Sequence, residues 1–217
     1  KEAFIWKQLD HPHVLPFRGL NGLALRDEGL AKLCMVSPWM ENGNLKSFIG
    51  THKNPDTKLR LALEIAEGVE YLHSRNVVHG DLRGCNVLID ADGHAKITDF
   101  GLSIMISNSV QTKASVAGAQ RWMAPELLAQ EDPQFSKASD AWSFACVCIE
   151  LYNITYPYNK IHRDAGVIAA HGRRQPPADS LDGAPNQVQQ VVQQCWGFSP
   201  TERPSMEDVI TALHAAS

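Results

Sequence analysis

His79-Gly80-Asp81-Leu82-Arg83-Gly84-Cys85-Asn86, followed thirteen residues later by Asp99-Phe100-Gly101, decides how this chain is read. An Asp with an Asn five residues on, and a second Asp eighteen residues after the first, is a phosphoryl-transfer layout. Moving a phosphoryl group from ATP is mainly a matter of positioning and electrostatics. It needs Mg2+ on hard oxygen ligands, an acceptor for the proton of the receiving hydroxyl, and cations facing the phosphates. Asn86 and Asp99 suit the metal, and Asp81 suits the hydroxyl proton. Arg83, two residues beyond Asp81, can place its guanidinium near the transferred phosphate.

Outward from this stretch the local patterns read as short strands, turns and helices. Val77 to Ile97 reads as short strands and loops, with a hairpin turn at Asp90-Ala91-Asp92-Gly93. Upstream, Pro55-Asp56 opens a helix to about Ser74, with Leu59, Leu63, Ala66, Val69 and Leu72 on one stripe. Asn42-Gly43 is a turn. Val14 to Leu25 and Leu30 to Ser37 read as strands around a polar turn at Arg26-Asp27-Glu28-Gly29, and residues 1–10 as a helix ended by His11-Pro12. Downstream, residues 101–121 carry no clear period and read as a mobile loop. Ser139 to Asn153 is strongly apolar and predicts a central buried helix, with further helices over 164–170, 186–197 and 205–215. Strands come early and helices late, which predicts an α+β fold rather than alternating βαβ units.

Composition narrows the function classes. The 217 residues are 44% hydrophobic, enough to bury a core, and suggest one domain. Twenty basic against 24 acidic residues give a net charge of -4 with no long basic run, which points away from nucleic acid and anionic membranes as partners. No stretch of about 18 apolar residues could span a bilayer. The five Cys, an odd number without a C-x-x-C pair, read as reduced thiols of a cytosolic or nuclear protein, and a cytoplasmic location is expected. Asp90 and Asp92 lack the ligand series of a Ca2+ loop and read as a hairpin turn. Trp122, Trp142 and Trp196 read as core aromatics, and the nine His as structural or surface residues.

The ordered motifs resemble a eukaryotic protein kinase domain, closest in wording to the tyrosine-kinase-like group. Met123-Ala124-Pro125-Glu126 resembles the A-P-E motif that closes the activation segment. Asp140-Ala141-Trp142-Ser143-Phe144 resembles the start of the central helix, and Cys195-Trp196 with Arg203-Pro204 resembles the C-W…R-P end of the domain. The resemblance implies a protein-kinase-like fold, with residues 1–40 a partial N-lobe (a helix, two strands and the hinge) and residues 41–217 a mostly helical C-lobe. It implies ATP and Mg2+ as cofactors and a protein hydroxyl, Ser or Thr before Tyr, as acceptor. By the same resemblance Asp81 and Arg83 are the catalytic residues and Asn86 and Asp99 the metal ligands. Glu2, Pro38, Met40, Asn44 and Leu88 belong to the nucleotide site, with the Pro38 and Met40 backbone on the adenine edge and Leu88 beneath it. Ser37 stands at the gatekeeper position. Glu126 and Arg203 form a buried ion pair, and Trp6, Phe17, His79 and Phe100 stack as a spine.

Three departures qualify the resemblance. The chain starts at the helix that carries Glu2, so the Gly-rich loop and its Lys lie upstream or do not exist, and the chain reads as a fragment or truncated form. Losing both is expected to cost about 10⁴–10⁶ in rate, leaving the isolated chain nearly inert. Gly80 stands where an Arg commonly receives an activation-loop phosphate, which argues against dependence on phosphorylation there. Ser103, Ser107, Ser109, Thr112 and Ser115 read as ordinary loop hydroxyls. Ala119 stands where Ser/Thr kinases carry a Thr that bonds the catalytic Asp. The alternatives to an active enzyme are a pseudokinase acting as a binding or scaffold module and, more remotely, a small-molecule phosphotransferase. The intact Asp99-Phe100-Gly101 argues against the first, and the A-P-E and C-W…R-P segments against the second.

Overall fold

Two helices organise the molecule because their sequences leave them little alternative. α1 (Glu2–Trp6) is short, and a small antiparallel pair follows, β1 (Gly19–Asn21) with β2 (Cys34–Val36). After α2 (Leu45–Thr51) comes α3 (Pro55–Ser74), the first of the two organisers. Asn54 caps α3 by accepting from Asp56 N at 2.9 Å, and Pro55 fits the first turn, where no amide donor is needed. Leu61, Ile65, Val69 and Leu72 then bury one full stripe.

β3 (Val77–Val78), β4 (Val87–Ile89), β5 (Ala95–Ile97) and β6 (Ile104–Met105) follow. β4 pairs antiparallel with β5 and β3 with β6, so the described residues hold three two-stranded sheets. α4 (Pro125–Leu128) precedes α5 (Lys137–Asn153), the second organiser, in which every residue from Ser139 to Tyr152 is buried. A capping box of Ser136 and Ser139 starts α5, and Ile154 at φ 53 ends it. α6 (Asp164–Gly172), α7 (Asn186–Cys195) and α8 (Met206–His214) complete the helical part, with α8 packed on α3 and α7 between α5 and α8. The computed structural model describes residues 2–22, 34–99, 104–105, 119–129 and 133–216.

The α+β order and the long helices agree with the sequence expectation. The hairpin turn is as expected too: Asp90 Oδ1 accepts from His94 N at 2.8 Å and from Asp92 N at 3.1 Å, so the carboxylate closes the turn. Several boundaries differ. The helix expected over residues 1–10 is the five-residue α1, although Leu9 beyond it is still buried. The strand expected from Val14 is broken into a single bridge, Val14 to Ile97, and β1, because Pro16 between them has no amide to give a ladder. Helix α2 was not expected: its seven residues hold fewer than two full turns of apolar pattern, and its signal is the Asn44 cap. Inside the segment expected to be a mobile loop, Ile104–Met105 forms a strand, too short to show a period. The rest of residues 101–118, with the Arg26-Asp27-Glu28-Gly29 turn and the five loop hydroxyls, lies outside the described residues. Among the described residues no helix is long and apolar enough to cross a membrane.

Candidate active site

The loop after β3 is held from beneath by a buried carboxylate. Asp140, in the first turn of α5, accepts from His79 N at 2.8 Å through Oδ2 and from Gly80 N at 3.0 Å through Oδ1. His73 at the end of α3 adds Nε2 to the same Oδ2 at 2.9 Å. Burial opposes the charge on Asp140, and the hydrogen bonds from His73 and Gly80 N hold its carboxyl below the ordinary value. Gly80 has φ +79, in the left-handed region that a glycine adopts without a Cβ penalty. His79 is itself structural, as expected: Nε2 donates to Thr98 O at 3.0 Å and Nδ1 accepts from Asp81 N at 3.1 Å.

On this support Asp81, Arg83 and Asn86 meet. Asn86 Nδ2 donates to Asp81 O at 2.8 Å and to Asp81 Oδ2 at 3.0 Å. Arg83 Nη2 lies 3.1 Å from the same Oδ2. Burial lifts the Asp81 carboxyl above its ordinary value, Arg83, His79 and Asn86 pull it back, and the charge of Asp99 pushes it up. Thr98 N donates to Asn86 O at 3.0 Å, which brings the residue before Asp99 against the Asn86 backbone. Asp99 is exposed and has φ 63, a left-handed conformation that Asp tolerates better than most residues. With Nδ2 turned to Asp81, Asn86 Oδ1 receives, among the described residues, the Cys85 thiol at 3.4 Å. The Asn86 amide oxygen and the exposed Asp99 carboxylate are hard donors of the kind a divalent cation takes beside phosphates.

The expected nucleotide residues are distributed along one edge. Residues 42–44 run beside β4: Ile89 N donates to Gly43 O at 2.8 Å, and Asn44 bridges Leu88. Met40 is buried and its carbonyl accepts from Gly43 N at 3.1 Å. Among the described residues no hydrogen bond engages the Met40 amide or the Pro38 carbonyl. Asn44 also caps α2, its Oδ1 accepting from Ser47 N at 3.0 Å. Glu2 lies in α1, but its side chain, like Phe100 and Gly101, is outside the described residues. Of the expected spine, Trp6 and Phe17 meet at 5.3 Å, tilted by 47°.

The expected Glu126–Arg203 pair is present and bidentate, Nη1 to Oε1 and Nη2 to Oε2 both at 2.7 Å. Arg203 adds bonds to Ala138 O at 2.8 Å and Gly197 O at 2.7 Å, so all three guanidinium nitrogens donate. Sequence reasoning did not single out His73 or Glu150 and took Asp140 only as part of a motif. Glu150 Oε2 accepts from Gly84 N at 2.7 Å and from Trp122 Nε1 at 2.8 Å. Two acidic residues within the largely apolar, buried stretch Ser139 to Tyr152 were the available signal, since a buried carboxylate needs donors.

Residues 1–213 match the family described as protein tyrosine and serine/threonine kinase, and the chain belongs to that family. It is similar to serine/threonine/tyrosine-protein kinase HT1 of Arabidopsis thaliana, 32% identical over 219 aligned positions that cover 98% of this chain and 53% of that protein. It is also similar to serine/threonine-protein kinase CTR1 of Arabidopsis thaliana, 31% identical over 98% of this chain and 26% of that protein. Ephrin type-A receptor 8 of Homo sapiens is 33% identical over 99% of this chain and 21% of its own length. These names are consistent with the tyrosine-kinase-like wording of the motifs. The chain spans about half the length of the first of these relatives and about a quarter or less of the other two. The family in general uses ATP with a divalent metal and a protein acceptor.

Proposed function

We propose that this domain transfers the γ-phosphate of ATP to a protein hydroxyl, Ser or Thr before Tyr, in the cytoplasm. The observation that carries the reading is the double restraint on Asp81, whose Oδ2 meets both Asn86 Nδ2 at 3.0 Å and Arg83 Nη2 at 3.1 Å. A carboxylate so held, and lifted above its ordinary value by burial, is a base aimed at the acceptor hydroxyl. Arg83 faces the transferred phosphate. Asn86 and Asp99 would hold Mg2+, which when bound neutralises charge on the phosphate oxygens. The Pro38 carbonyl and the Met40 amide offer an acceptor and a donor to the adenine edge, with Leu88 and Asn44 alongside, and the family resemblance adds Glu2 to the nucleotide residues. In this reading residues 1–40 form the N-lobe side and residues 41–217 the C-lobe.

Replacing Asp81 by Asn keeps the shape and removes the base. Asp81→Asn in the full-length protein is expected to lower the turnover of peptide phosphorylation by about 10²–10⁴. Transfer at the wild-type rate would remove the proposed role of Asp81.

A further inference from the structure

A cavity of about 590 Å³ opens beside Asp81, a volume in the range of sites that hold small ligands. Arg83 belongs to its wall, and Arg83 Nη2 lies 3.1 Å from Asp81 Oδ2, so the cavity starts one side chain away from the proposed base. Three cations and two carboxylates line it: Lys46, Arg83 and Arg121, with Glu150 and Asp164. Most of these charges are already engaged. Arg121 donates to Tyr158 O at 3.0 Å and to Ile161 O at 2.8 Å, and its Nη2 lies 3.7 Å from Asp164 Oδ1. Glu150 is buried, and its Oε2 accepts from Gly84 N at 2.7 Å and from Trp122 Nε1 at 2.8 Å. Lys46 is different. It is exposed in the first turn of α2, and among the described residues no hydrogen bond or ion pair engages its ammonium. Arg83 Nε is likewise without an acceptor among the described residues. Ile154 and Tyr156, both exposed, add apolar surface to the same wall, so a charge entering here is less screened than one on an open surface.

We propose that Lys46 is a specificity-determining residue of this site, selecting an acceptor segment that carries an Asp or Glu within about three residues of the accepting hydroxyl. The inference rests on the kinase reading above and names the class of acceptor that reading leaves open. An extended segment advances about 3.3 Å per residue, so three residues span about 10 Å, enough to pass the Arg83 side chain that stands between Asp81 and the cavity. A carboxylate arriving there supplies the acceptor that the Lys46 ammonium lacks. A Lys or Arg at the same place would set like charges together, so discrimination comes both from the pair gained and from the repulsion avoided. The Glu150 carboxylate pulls the other way, but it already serves two donors, and the unspent charge of Lys46 prevails.

The test uses the full-length protein and peptides of one neutral host sequence with a single Ser, placing Glu, Gln or Lys at each of about three positions on either side of it. At one position or more, kcat/KM is expected to be about fivefold higher with Glu than with Gln, and at least about tenfold higher than with Lys. The gap should narrow about threefold as salt rises from about 0.05 M to about 0.5 M. Lys46→Glu should reverse the order of Glu and Lys at that position. It should leave the Gln peptide within about twofold of wild type, which also shows that the variant is folded. Equal rates for Glu and Lys at every position would overturn the proposal. So would a preference for Lys, the order Glu150 would impose, or a Glu preference that survives Lys46→Glu. Binding needs no transfer. Peptides with the Ser replaced by Ala, followed by fluorescence anisotropy, should bind the wild type about fivefold more tightly with Glu than with Lys, and should lose that difference in Lys46→Glu. Should the wild-type protein phosphorylate none of the peptides, the kinase reading fails while the binding difference still decides the role of Lys46. Its absence overturns the proposal in either case.

Discussion

The loop over residues 79–86 and the edge over residues 34–40, both assigned to the site by the proposed function, are built very differently. His79, Leu82, Gly84 and Asn86 are buried, and the loop backbone is bonded by two carboxylates of α5. Along the other segment Met35, Val36 and Trp39 are exposed, Trp39 at 82%, and among the described residues β2 pairs only with β1. Groups that must be placed to fractions of an ångström stand on a packed helix, where displacement breaks several bonds at once. The edge assigned to adenine relies on backbone groups of a short extended segment, where shape tolerance is greater and local opening costs less.

The strongest way to break this comparison is to remove the support under the loop. Asp140→Ala leaves His79 N, Gly80 N and His73 Nε2 without their acceptor. It is expected to cost about 3–5 kcal/mol in urea unfolding. A cost below about 1 kcal/mol would mean that the loop does not depend on α5.

A second effect tests the helical part through pH. His171 on α6 is buried between Trp142 at 5.5 Å and Tyr158 at 5.0 Å, and burial lowers its pKa from 6.5 to about 4. Glu126 raises that value and Arg203 lowers it, and as their charges are joined in one bidentate pair neither dominates. Below pH 6.5 the unfolded chain binds a proton that the folded chain refuses. Stability is therefore full above pH 6.5 and is lost as the pH falls from 6.5 toward 4, by on the order of 2–3 kcal/mol. Urea midpoints measured across that range should show the slope in the wild type and a flatter one in His171→Phe. Equal slopes would place the acid sensitivity elsewhere.

The smallest effect is expected on the exposed edge. Trp39→Ser should shift the unfolding free energy by less than about 0.5 kcal/mol, because little of the ring leaves water on folding. A cost above about 1 kcal/mol would show that the edge carries more of the fold than its exposure indicates.

Much of this arrangement was legible in the order of residues. Asp81, Arg83 and Asn86 fall within six positions, so any compact loop brings them together, as their hydrogen bonds bear out. Helices α3 and α5 were visible because each sustains its pattern over several turns. Helix α2 and strand β6 were not, because seven and two residues are too few for a period to emerge. Glu126 and Arg203, seventy-seven positions apart, were paired only through the family resemblance, since nothing local in either segment names the other.

The sequence by itself determined the chemistry: which carboxylates and amides stand at which spacing, and hence the kind of reaction they suit. It also determined the α+β order, because apolar periodicity and caps are properties of neighbouring residues. Only the tertiary structure decided how that chemistry is held. His73 and Asp140 are sixty-seven positions apart, Gly84 and Glu150 sixty-six, and both pairs meet because α5 is buried through its whole middle. A carboxylate taken out of water must find donors, and which backbone amides lie within its reach is set by packing, not by position along the chain.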